Sequence, residues 1–116
     1  MENVVKQKSF AFAKRIVKLC RFLRETKGEF VLTKQLLRCG TSIGANVAES
    51  QFAQSRPDFI TKLSVALKEA GETDYWLRLL HETDYLTKEQ FMSIMRDCDE
   101  LEKLLITILK STKENS

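Results

Sequence analysis

Residues 33–55 read TKQLLRCGTSIGANVAESQFAQS, a helical pattern that carries two glycines, Gly40 and Gly44. Each interior Gly costs a helix about 1 kcal/mol relative to Ala, so the pair costs roughly 2 kcal/mol before any contact forms. With Ala48 they set small residues at i, i+4 and i+8 along one ridge. A ridge that flat admits another backbone unusually closely, and such a contact offsets the lost propensity. Gly40, Gly44 and Ala48 are therefore expected at a close helix–helix contact. At about 100° per residue, Leu36, Ile43 and Val47 share their arc, while Arg38, Ser42, Asn46 and Glu49 cluster within about 80° on the other side. The segment has an apolar packing face and a narrow polar stripe.

Working outward, Thr33 is the expected N-cap of this helix, with Leu32 and Leu37 as a hydrophobic staple. Its end is expected near Gln54, because Ser55-Arg56-Pro57-Asp58 is a fresh start signal. Ser55 can cap, Pro57 needs no donor in a first turn, and Asp58 suits the positive end of the dipole. The next segment has the most regular spacing: Phe59, Leu63, Ala66, Ala70, Thr73, Leu77 and Leu80 step by four and three, the seam of a bundle helix. Trp76 lies beside that seam and needs a partner for its indole N–H.

Upstream, Phe12, Ile16, Leu19, Cys20 and Leu23 mark a first amphipathic helix that Gly28 can terminate. Downstream, Thr87-Lys88-Glu89-Gln90 reads as a capping box. Behind it Phe91, Ile94, Cys98, Leu101, Leu105 and Ile108 repeat the seam. The expected helices span about 3–26, 33–54, 56–83 and 87–112. Short links between helices of this length give an all-α, antiparallel up-down-up-down four-helix bundle, one domain over 1–116.

One Pro and four Gly in 116 residues leave little room for anything but long helices. No run approaches the roughly 20 apolar residues of a membrane span, and MENVVKQKSF has no secretory h-region. Cys20, Cys39 and Cys98 are odd in number and sit in helical patterns, as expected of reduced core thiols in a cytoplasmic protein. The net charge of +3 hides an asymmetry. Residues 1–27 hold eight basic side chains against two acidic ones, a balance of +6, whereas residues 69–102 hold ten acids against three bases, a balance of −7. Lys14, Arg15, Lys18, Arg21 and Arg24 form a candidate face for RNA, DNA or a nucleic-acid-processing protein. Few aromatics interleave with them, so binding is expected to run through phosphates, tolerate sequence and weaken with salt. The competing reading is a basic helix packed beside an acidic one, within or between subunits.

The run RCGTSIGANVAES, Arg38 to Ser50, resembles the signature of the small bacterial four-helix-bundle proteins, also called 23S ribosomal RNA intervening-sequence proteins. The similarity extends through DFITKLSVALKEAGETDYWL and the TDYL turn, nearly the whole chain. It implies a left-handed bundle that assembles into closed rings, commonly homopentamers. A related branch is the accessory protein of diversity-generating retroelements, a basic pentamer associated with a reverse transcriptase and nucleic acid. Arg38, Ser42, Asn46, Glu49 and Glu72 match the family's recurrent polar positions. Ser50, Gln51 and the Lys68-Glu69 pair depart from its commoner pattern.

The chemical inventory points away from an enzyme. His81 is the only histidine, without the partners of a zinc site, and the Glu-x-x-His pairs of di-iron bundles are absent. Gly40 and Gly44 follow no strand and precede no Lys-Ser/Thr, so they are not a phosphate loop. No catalytic residue, metal or cofactor is expected. Arg38, Ser42, Asn46, Glu49 and Glu72 are expected to form a buried polar network between the second and third helices, with Arg38 reaching Glu72 or Glu49. Phe10, Val17, Phe22, Leu67, Trp76 and Leu79 exceed what one small core hides, which implies a homo-oligomer. Two functions stay open: a self-assembling scaffold with a basic face, or a purely structural oligomer that binds no nucleic acid.

Overall fold

The apolar periodicities resolve into four helices, α1 (Val4–Lys27), α2 (Val31–Ser50), α3 (Arg56–Glu82) and α4 (Lys88–Glu114). They come from a computed structural model that describes residues 3–115. Each helix packs on its sequence neighbours, and α1 closes the ring of contacts with α4. The result is a rod of 47 × 22 × 21 Å, a four-helix bundle with one helix at each corner. Among the described residues there is no strand.

Local signals explain most of the boundaries. Gly28 ends α1 in the left-handed conformation at φ 62°, where only Gly is unstrained, and its N–H bonds back to Arg24. Ser55 caps α3 by accepting from the Asp58 N–H, with Pro57 in the first turn. Thr87 and Gln90 form the reciprocal capping box of α4.

Helix α2 departs from expectation at both ends. It starts at Val31, so Thr33 is not its cap but a buried residue of the first turn. The cap is a carboxylate instead: Glu29 Oε2 accepts from the Leu32 N–H at 3.0 Å and the Thr33 N–H at 3.1 Å. A buried acid at the positive end of a helix satisfies orphan donors and the dipole together. Leu32 then lies inside the helix, and the expected Leu32–Leu37 staple has no place. The C-terminus falls at Ser50 rather than Gln54, and Phe52 is left 84% exposed in the link.

The core runs the length of the rod. Phe12, Ile16 and Leu23 from α1 meet Leu36, Ile43 and Val47 from α2, Leu63, Leu77 and Leu80 from α3, and Leu101 and Leu105 from α4. The α2 ridge sets the α1–α2 spacing. A Cβ at Gly40 would stand 2.9 Å from both γ carbons of Ile16, and one at Gly44 would stand 3.1 Å from the Ser9 carbonyl oxygen. Ala48 does not share this contact; it is exposed. Each four-residue step turns a helix by about 40°, so two steps carry Ala48 roughly 80° away from α1. The α1–α4 seam differs from the other three. It is the sparsest, and the ion pairs Lys8–Glu100 (3.0 Å) and Arg15–Asp97 (2.6 Å) bridge it.

Candidate functional site

The polar stripe of α2 divides into three separate groups, two of which meet α3. Arg38 donates to Glu69 at 3.2 Å and also to Glu72, whose carboxylate accepts the Trp76 indole N–H at 3.0 Å. Higher on α2, Asn46 donates to the Ser42 carbonyl at 2.9 Å and to the Ser42 hydroxyl at 3.1 Å, within one helix. Glu49 pairs with Lys62 at 3.0 Å. The expected single network is therefore three, and Arg38 does not reach Glu49. The reason is distance: eleven residues separate them, about 16 Å of helix rise. Nor is the network buried, since the Arg38 side chain is 50% exposed, although Glu69 beneath it is only 13% exposed. Sequence reading missed Glu69 and Lys62 as partners. The i, i+3 spacing of Glu69 and Glu72 was the signal that one arginine could fork between them.

The basic residues of α1 separate by their angle around the helix. Lys14, Lys18 and Arg21 lie within about 60° of one another, whereas Arg15 is turned about 100° to one flank and Arg24 about 80° to the other. The flanks are where the neighbours sit. Arg15 donates to Asp97 at 2.6 Å and to the Ser93 hydroxyl at 2.9 Å on α4. The Arg24 Nε–H donates to the Thr33 hydroxyl at 3.1 Å on α2. The expected five-residue face is thus corrected to three exposed cations, Lys14, Lys18 and Arg21. They do not stand alone. Phe10 is 65% exposed and Phe22 41%, and the Lys14 ammonium lies 5.1 Å from the Phe10 ring centroid.

The ionisable groups of the interior carry little nucleophilic chemistry. Cys20, Cys39 and Cys98 are buried free thiols. Burial pushes Cys20 up to about 11 and raises Cys39 and Cys98 as well, so all three stay protonated near neutrality. On the α3–α4 seam, carboxylate oxygens of Asp74, Asp99 and Glu102 lie within 4.8 Å of one another. Desolvation, reinforced by Asp74, lifts Glu102 to about 7. The Arg78 Nε–H donates to Asp74 at 2.5 Å. His81 is half-buried, stacked on Phe91 with ring centroids 4.4 Å apart.

A groove of about 710 Å³ lies along α4, lined by Phe91, Met92, Met95, Asp99, Lys103 and Leu104. Among the described residues no helix is long and apolar enough to cross a membrane.

Comparison with known proteins places this geometry. No curated protein matches the chain. A crystal structure of a protein of unknown function from the S23 ribosomal protein family of Bacteroides thetaiotaomicron is similar at 60% identity. The match covers 92% of this chain and 99% of that one, with a TM-score of 0.91. Residues 1–107 match the 23S rRNA-intervening sequence proteins, spanning all of α1, α2 and α3 and most of α4. With the bundle, its glycine ridge and its signature run on one chain, the protein belongs to the 23S rRNA-intervening sequence protein family.

Proposed function

We propose that the protein is a non-enzymatic cytoplasmic scaffold that assembles with copies of itself and engages nucleic acid, or a nucleic-acid-processing protein, through α1. The assembly is a closed ring, pentameric on the pattern the family resemblance implies. One observation carries the self-assembly: large apolar side chains stand in solvent on every helix of the single chain, among them Val17, Val31, Tyr75, Met92 and Ile106. Scattered exposed apolar residues are ordinary, but so many on all faces of a small rod favour partners. Leu67 and Trp76 add less, because they are half-buried against the core, and Leu79 is half-buried as well. The three buried, protonated thiols support a reducing compartment. Multi-angle light scattering at micromolar concentration tests the assembly, and a stable monomer overturns it.

The cations Lys14, Lys18 and Arg21 support the nucleic-acid part, and the reference to 23S rRNA in the family's name fits it. Reversing all three to Glu should abolish binding while leaving helical content and assembly intact. A ring repeats the stripe once per subunit and so gains avidity without new contacts. The alternative, a structural oligomer without nucleic acid, is favoured by one feature: Lys8 and Arg15 direct their charge at α4 of their own chain. Failure of the unmodified protein to retain either RNA or DNA at ~50 mM salt, where phosphate contacts are strongest, selects that alternative.

A further inference from the structure

The exposed face of α1 has an order that its charge alone does not reveal. Phe10, Lys14, Lys18 and Phe22 follow one another at i, i+4 intervals, so they form a ridge that winds about 120° around α1, with a ring at each end and two ammonium groups between. All four are exposed. Arg21 stands beside the centre of this ridge, one turn from Lys18 and also exposed. Twelve residues separate the rings, about 18 Å along the helix axis. Buried neighbours do not explain the rings: Phe12 fills the core from the opposite face at 1% exposure, while Phe10 remains 65% exposed.

Aromatic rings flanking cations discriminate between forms of nucleic acid. In a duplex the bases are stacked and paired, and a helix surface meets only sugars and phosphates. Exposed phenyl rings then gain nothing and displace water from the polar backbone. A single strand offers unpaired base faces for stacking as well as phosphates for the cations. The Lys14 ammonium rests on the Phe10 ring, and a bound phosphate would draw that flexible side chain aside and bare the ring.

We infer that this ridge is a site for single-stranded nucleic acid, with bases stacking on Phe10 and Phe22 and phosphates held by Lys14, Lys18 and Arg21. The assignment rests on the nucleic-acid reading above and names its substrate class. Recognition is by shape and stacking, so the site tolerates any base sequence and prefers strands that are already unpaired.

Fluorescence anisotropy on the full-length assembled protein at ~50 mM salt tests it. The probes are labelled oligo-uridine, oligo-thymidine and a DNA duplex of equal length. The single strands should bind at least about tenfold tighter than the duplex, since each base–aromatic stack is worth roughly tenfold. The double variant Phe10→Leu/Phe22→Leu keeps the ridge apolar but removes the rings, and should erase that preference. The triple variant Lys14→Gln/Lys18→Gln/Arg21→Gln should lose both kinds of probe. Equal binding of strand and duplex, unchanged by the leucines, overturns the inference and leaves the phosphate reading standing. No binding of any probe removes both. If the leucines instead lower the oligomer mass in light scattering, a second copy covers the ridge, and the inference is overturned.

Discussion

Three glycines of this protein lie within helices, and the same change to Ala should have a different consequence at each. Outside packing, Gly→Ala stabilises a helix interior by about 1 kcal/mol. Gly71 on α3 is the reference, because a Cβ there meets nothing within 4 Å. Gly71→Ala should gain close to that full amount. At Gly40 the new Cβ stands 2.9 Å from two γ carbons of Ile16, a fully buried side chain whose branch sits next to its own backbone. Relief requires α1 and α2 to separate, and overpacking of this kind costs about 1–3 kcal/mol. The net effect of Gly40→Ala is therefore a loss of up to ~2 kcal/mol, a difference from Gly71→Ala of about 1–3 kcal/mol. Gly44→Ala should fall between them, since its Cβ meets the Ser9 carbonyl oxygen at 3.1 Å. Urea unfolding at matched protomer concentration reads these values, as assembly makes stability concentration-dependent. A double-mutant cycle isolates the contact. Ile16→Ala alone should cost about 2–5 kcal/mol. Combined with Gly40→Ala the total should fall short of the sum by at least ~1 kcal/mol, because the clashing carbons are gone. Should Gly40→Ala stabilise as much as Gly71→Ala, the ridge does not set the helix spacing and the reasoning is wrong.

Two further outcomes follow from single carboxylates. Glu102 titrates near 7 in the folded protein against 4.5 for a free side chain, so between those values the folded state binds the extra proton. Stability contributed here is greatest at the acidic end and is lost as pH rises through about 7; thermal melts between pH 5 and pH 8 should show that slope, and Glu102→Gln should flatten it. Glu29→Ala removes the buried cap of α2 and should cost about 1–2 kcal/mol, with a melting point lower by several degrees, whereas loss of an exposed acid such as Glu25 should leave melting unchanged.

The bundle was legible in the chain because its information is local and periodic. Alternate steps of three and four from Phe59 to Leu80 specify a buried face whichever helix it meets, and Ser55, Thr87 and Gly28 act within one turn of themselves. Gly40 and Gly44 announced a close contact by the propensity they sacrifice. The cap of α2 was hidden because Thr33 looked like one; only burial in the first turn reassigns the role to Glu29. Side-chain pairing between helices was hidden for a related reason. A helix displays its charges at fixed angles, but which of them find partners depends on where the neighbouring axes lie. Arg15 and Lys14 are adjacent in sequence and about 100° apart around α1, so α4 takes one and solvent keeps the other. The same rotation separated Ala48 from the glycines and left Phe10 and Phe22 outside a core that already contained Phe12. Sequence periodicity determines which faces are apolar, whereas the relative placement of helices determines which polar groups remain free to meet a ligand.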